Sequence, residues 1–194
     1  MRRYGSGTAL VVVDIQNDFA DPAGSLYVGG ADAVVAAVNR EVIVAVAAGR
    51  PVLYTQDWHP AATPHFAKDG GVWPVHCVAG TWGAEFHPRL VVAGPTIRKG
   101  SNGEDGYSGF TMRDPESGET LPTELAGLLR DAGAEAIVVV GLALDYCVKA
   151  TALDGVHGGF ASTVLAGATA AVDLEPGDGL RAAEELRAAS VVIA

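Results

Sequence analysis

Short β-branched runs alternate with alanine-rich stretches along this chain. The runs predict strands at Thr8–Asp14, Pro51–Asp57, Thr96–Lys99, Ala136–Gly141, Ser162–Ala166 and Ser190–Ile193. Several are apolar at every position rather than at alternate ones, as strands buried on both faces are. Between them the apolar spacing becomes helical. Val34, Val38, Val42 and Val46 recur every fourth residue, and Gly49 with Pro51 ends that helix. Pro122 opens a second, where Leu125, Leu128 and Leu129 form a stripe that stops at Gly133. A third starts at Asp145 and carries Val148, Ala152 and Val156 along one face. A fourth covers roughly Asp178 to Ala189.

Strands alternating with helices imply βαβ crossovers and a mainly parallel sheet of about six strands, an α/β fold. In such sheets the ligand site lies beyond the C-terminal ends of the strands. The stretch from His59 to Pro95 is rich in Gly, Pro, His and Trp and has little periodicity. Loops of that length inside a compact domain are usually functional. There is no internal repeat and no linker, so residues 1–194 read as a single domain, a size that supports a sizeable core.

Composition narrows the partners. The formal net charge is −10, which argues against nucleic acid and anionic membrane, since both favour a basic face. No stretch reaches the roughly 18–20 apolar residues that span a bilayer. The apolar run from Ala9 to Val13 is too short for a signal peptide, and Asp14 ends it. The two cysteines, Cys77 and Cys147, do not make a disulfide framework. The expected compartment is therefore a reducing cytoplasm. The oligomeric state is left open, homo-oligomers included.

Polar residues collect where the strands end. Asp14 ends the first strand, Asp57 the second with His59 just after it, and Lys99 the third. Cys147 follows the fourth in "VVVGLALDYCV". With Asp145 as N-cap, Cys147 falls in the first turn of a helix, where the macrodipole favours a thiolate. For a lone cysteine, burial as a small apolar side chain is the commoner fate. Asp14 is the available base, provided burial raises its pKa, and Lys99 the available cation. Each also has a plain structural reading, as a turn cap and a surface lysine. Asp57, His59 and His76 form a carboxylate-plus-two-imidazole set suited to Zn²⁺, Fe²⁺ or Mn²⁺, with His65 a further candidate. Hydrogen-bonded loop histidines are the alternative. His87 and His157 read as structural or solvent-facing, and Glu104-Asp105 as a solvated charge pair rather than a catalytic dyad.

Taken together, "VVVDIQNDF", "YTQDWHP", "WPVHC", "KG…GEDGYSGF" and "VVGLALDYCVKATALD" resemble the nicotinamidase/pyrazinamidase members of the isochorismatase-like cysteine hydrolases. The match runs in order from about Thr8 to Ala170. It implies a three-layer, doubly wound sandwich and a Cys/Asp/Lys triad. Cys147 would be the nucleophile, Asp14 its general base and Lys99 the supporting cation. It implies one divalent metal, Zn²⁺ first with Fe²⁺ or Mn²⁺ as alternatives, on residues matching Asp57, His59 and His76. A histidine at the place of His65 joins the ligands in some members. The metal would bind the ring nitrogen of a pyridine carboxamide as a template. Phe19, Trp73 and Tyr107 match the aromatic wall, with Gln16 close by. Backbone N–H groups of Ala143 and Cys147 match the oxyanion hole, which follows a cis peptide in the family. The implied reaction is hydrolysis of nicotinamide, and of pyrazinamide, to the acid and ammonia through a thioester, in NAD salvage.

The chain departs from that pattern at Leu144, where threonine is common. Two other readings stand beside the first. One is a related amide or ureido hydrolase, such as an N-carbamoylsarcosine amidase or ureidoacrylate hydrolase. The other is a non-catalytic, metal-binding ligand sensor.

Overall fold

A computed structural model describes residues 3–194. Its sheet has six parallel strands in the order β3-β2-β1-β6-β7-β8. These are β1 (Thr8–Val13), β2 (Val52–Asp57), β3 (Thr96–Lys99), β6 (Ala136–Leu142), β7 (Ala161–Ala170) and β8 (Val192–Ile193). A hairpin of β4 (Thr111–Arg113) and β5 (Thr120–Pro122) lies apart from it. The helices are α1 (Asn17–Ala20), α2 (Ala31–Ala47), α3 (Leu125–Asp131), α4 (Lys149–His157) and α5 (Asp178–Ala188).

The side-chain period of two splits β1 between two cores. Leu10 and Val12 pack with Val34, Val38 and Val42 of α2 on one face. Ala9, Val11 and Val13 pack with Leu125 and Leu129 of α3, Ala152 of α4 and Leu186 of α5 on the other. All five β1 residues are completely buried, which is why the strand is apolar throughout. Each buried valine or leucine contributes roughly 1.5–3 kcal/mol over an exposed one. Helices on both faces make this the expected three-layer α/β sandwich.

The chain winds from β1 out to β3, then returns to β6 beside β1 and winds the other way. That reversal opens a crevice between the C-terminal ends of β1 and β6. Asp14, Asp57, Lys99 and the turn after β6 meet around it.

Several elements differ from the sequence expectation. Val46 is half exposed and Ala45 takes its core place, because a strict four-residue repeat drifts off a 3.6-residue helix face. Pro122 ends β5 rather than starting a helix, and α3 begins at Leu125. β7 runs on to Ala170, past a register shift opposite Val139 and Gly141. Asp145 is not an N-cap: residues 144–148 form a π-helical turn whose cap position is Ala143.

Gly141 lets β6 lie against β1. Its φ is +114°, and an added Cβ would meet the Val13 carbonyl oxygen at 2.1 Å and the Val13 nitrogen at 2.7 Å. Backbone of a central strand cannot yield to that contact. Gly141→Ala is therefore expected to lower stability by about 3 kcal/mol, read as a shifted midpoint in urea. An unchanged midpoint would show that β1 and β6 can separate at no cost.

Candidate active site

Three strand ends bring one cation between two carboxylates. Lys99 Nζ lies 2.9 Å from Asp14 Oδ2, donates to Asp57 Oδ1, and sits 3.8 Å from Cys147 Sγ. Asp14 is fully buried, with φ of +47°, and Thr55 Oγ1 donates to its Oδ1 at 2.7 Å. Thr55 was not singled out from the sequence. Its period-two relation to Asp57 on β2 is the signal that places both on one face.

Burial governs the charges. It raises the Asp14 carboxyl above its usual range; Lys99 opposes that and Asp57 reinforces it. Burial would raise Asp57 too, but Lys99, His59 and His76 outweigh it and hold Asp57 down at about 2. Lys99 is kept well above its usual range, because the two carboxylates outweigh its own burial. Burial also pushes the Cys147 thiol well up; Lys99 opposes this, and Asp14 and Asp57 add to it. The thiolate expected at a helix start is thus not the resting form. The sulfur is a neutral thiol beside a carboxylate that burial makes a better base.

The turn carrying Cys147 is anchored from a distance. Asp145 Oδ1 accepts the Val172 N–H at 3.0 Å and its Oδ2 the Asp173 N–H at 2.9 Å. This ties the turn to the chain leaving β7. The Leu142–Ala143 peptide is cis. The Ala143 carbonyl accepts the N–H groups of Tyr146 and Val148 at 3.1 and 3.0 Å.

Beside Asp57 the long loop folds three imidazoles together. His59, His65 and His76 each offer a ligand atom within 4.8 Å of the others. Asp57 Oδ2 is 3.9 Å from His59 Nε2 and 4.0 Å from His76 Nε2. His76 Nδ1 lies 2.8 Å from the Pro74 carbonyl oxygen, which leaves its Nε2 for the cluster. Burial, partly offset by Asp57, drops His59 to about 4, so it is neutral near pH 7. Both its ring nitrogens are buried without a hydrogen-bond partner. A buried polar atom left so costs about 1–3 kcal/mol, and a bound cation relieves that. The donor set, one carboxylate and three imidazoles, fits a divalent transition metal.

Glu104 and Asp105 are not a solvated pair. Glu104 is buried and accepts from the backbone and side chain of Asn102. Asp105 meets His65, and that hydrogen bond holds its carboxyl below the usual range. His87 is buried outside the cluster, and His157 is exposed on α4.

A pocket of about 510 Å³, its open mouth included, joins the two groups. Phe19, Trp73 and Tyr107 line it, together with Asp57, His65, His76, Ala143 and Cys147. Tyr146 also lines it and was missed from the sequence, although it adjoins Cys147. Its ring packs edge-on against Trp73 and Tyr107 at 5.0 and 5.3 Å. Leu26, Val28 and Val172 complete the apolar wall. Gln16 does not reach the pocket. Its amide bonds both the N–H and the carbonyl of Asp57 and the Ala84 carbonyl, so it fixes the end of β2 beside the imidazole cluster instead of lining the pocket.

Comparison with known proteins places the chain in a family. The isochorismatase domain model matches residues 8–192. A nicotinamidase/pyrazinamidase of Mycobacterium tuberculosis is 39% identical over 94% of this chain and 96% of its own. The pyrazinamidase of Pyrococcus horikoshii, solved in complex with zinc, superposes with a TM-score of 0.85 at 36% identity, covering 97% of this chain and 98% of that one. PnC1 from L. infantum, solved in complex with nicotinate, gives 0.84 at 38% identity over 96% and 91%. A ureidoacrylate amidohydrolase of Methylobacterium radiotolerans matches at 32% identity over 84% of this chain and 66% of its own. The chain belongs to the isochorismatase family, on its nicotinamidase/pyrazinamidase branch.

Proposed function

We propose that this chain is a nicotinamidase, hydrolysing nicotinamide to nicotinic acid and ammonia as one catalytic domain, with pyrazinamide as a second substrate. One observation carries the reading: the thiol of Cys147 and the carboxylate–imidazole cluster face the same aromatic-walled pocket. A flat heteroaromatic ring needs apolar walls, a group for its ring nitrogen, and a nucleophile at the height of its carboxamide. A small ureido substrate makes no use of that wall.

In the proposed sequence Asp14 takes the Cys147 proton and the sulfur attacks the carboxamide carbon. The C=O electron pair moves to oxygen, where the N–H groups of Ala143 and Cys147 receive it. Collapse of this intermediate breaks the C–N bond, and the proton held on Asp14 leaves with ammonia. A water, deprotonated by Asp14, then attacks the thioester. The C–S bond breaks, nicotinic acid departs and the proton returns to sulfur. Lys99 stays charged throughout and balances Asp14 and Asp57.

Asp57, His59, His65 and His76 would hold one divalent cation, zinc by preference for this donor set. When bound, it supplies a Lewis-acid site for the pyridine nitrogen and so fixes how far the carboxamide lies from Cys147. Both cysteines are unpaired thiols, which suits a reducing compartment such as the cytoplasm. Among the described residues, no helix is long and apolar enough to cross a membrane.

The test is ammonia release from nicotinamide, ureidoacrylate and N-carbamoylsarcosine by the purified protein. Turnover of nicotinamide above the other two is expected; turnover of a ureido substrate alone would overturn the reading. His59→Ala, or chelation of the wild type, is expected to weaken nicotinamide binding at least about tenfold without unfolding the protein. Calorimetric titration with circular dichroism checks both. Full affinity in metal-free protein would refute the template role.

A further inference from the structure

The three imidazoles differ in what holds their outer face. His76 uses a carbonyl of its own loop, Pro74. His59 has no partner at either ring nitrogen. His65 alone is held by a carboxylate, and it comes from another loop: Nδ1 lies 2.6 Å from Asp105 Oδ1.

Asp105 is built to stay in place. Its N–H donates to the Arg113 carbonyl at 2.8 Å, and the Arg113 N–H returns a bond to its own carbonyl at 2.6 Å. This antiparallel bridge fixes the loop on β4. The Gly106 N–H donates to the same Oδ1 at 2.8 Å. The His65 ring is buried and stacks on His59 at 4.7 Å with an interplanar angle of 22°. Two further bonds join the loops on either side: Thr63 Oγ1 to the Gly103 carbonyl at 3.1 Å, and Trp73 Nε1 to Tyr107 Oη at 3.0 Å.

A carboxylate can only accept, so the proton of a neutral His65 ring lies on Nδ1. The lone pair is then on Nε2, away from Asp105. A carboxylate behind a ligating imidazole fixes the ring and raises its basicity as a ligand.

We propose that Asp105 is a positioning residue that fixes the tautomer and orientation of His65, making it a third imidazole ligand of the cation. Resting on the metal reading above, the inference adds that the loop bearing Tyr107 helps retain the ion. Metal retention and the shape of the ring pocket are thereby linked through one carboxylate.

The test measures Zn²⁺ affinity of the full-length protein, stripped of metal, by competition with a chromophoric chelator. Asp105→Ala is expected to bind Zn²⁺ about 10–100-fold more weakly than wild type, while the metal-free protein still unfolds in one cooperative transition with the wild-type circular dichroism spectrum. Asp105→Asn, whose side-chain oxygen still accepts from Nδ1, is expected to fall between them. The Asp105→Ala/His65→Ala double variant should bind no more weakly than His65→Ala alone, because Asp105 acts only through that ring. Wild-type affinity in Asp105→Ala, or additive losses in the double variant, would overturn this inference and leave the metal reading intact. A wild type without measurable Zn²⁺ affinity would overturn both.

Discussion

Cys147→Ala is expected to lower nicotinamide turnover by roughly 10⁴–10⁶-fold, the range seen when a catalytic nucleophile is deleted. Nicotinamide binding should remain within a few-fold, because the ring is held by the aromatic wall and the cation site rather than by sulfur. Stability should change little. The side chain is small, it lines a pocket open to solvent, and Cys to Ala removes only one heavy atom. Turnover, substrate affinity and melting temperature of the variant separate these effects. Comparable turnover in the variant would mean that the cation site, and not the thiol, supplies the attacking group.

Lys99→Met is expected to have the largest effect on stability. Lys99 is buried between Asp14 and Asp57 and is ion-paired to both. Methionine keeps much of the volume and none of the charge, so two carboxylates are left together in a dry site. Removing one partner of a buried ion pair costs about 3–5 kcal/mol. The sign of the pH dependence follows. With lysine present, Asp57 is held at about 2, below its unfolded value, so its contribution is present near neutrality and is lost in acid. Without the lysine, burial and the neighbouring carboxylate raise Asp57 above its unfolded value and lift Asp14, already raised by burial in the wild type, further still. That contribution is present in acid and lost as pH rises. The variant's deficit should therefore be larger at pH 8 than at pH 5, with turnover lost as well. Urea midpoints at the two pH values measure this; equal deficits would mean that the carboxylates are not coupled through Lys99.

Much of the sheet was legible because its central strands, β1 and β6, are buried on both faces and so are apolar along nearly their whole length. β1, β2, β3 and the start of β6 lie where those runs lie. The short hairpin of β4 and β5 was not, since three-residue strands containing Arg113 and Pro122 carry no period to read. Local signals misled where the deciding partner is distant in sequence. Asp145 has the letter and place of an N-cap, yet its oxygens bond Val172 and Asp173. Glu104-Asp105 looks like a solvated pair until His65, 40 residues away, is seen against Asp105. Gln16, Thr55 and Tyr146 needed the third dimension as well. What brought Asp14, Asp57, Lys99 and Cys147 together was legible in outline, because a parallel sheet delivers all its strand ends to one rim.

The Leu144 departure has a structural setting but no functional account. Its side chain packs, partly buried, against the core under α3 and α4. A threonine hydroxyl there would need a partner, and leucine needs none.

The central claim is a covalent bond between Cys147 and the acyl group of the substrate. Rapid acid quench during turnover of nicotinamide, followed by peptide mass spectrometry, tests it directly. The expected result is a nicotinoyl thioester on the peptide containing Cys147, appearing before steady-state product and absent from Cys147→Ala. Product forming in the wild type with Cys147 unmodified at every quench time would contradict it.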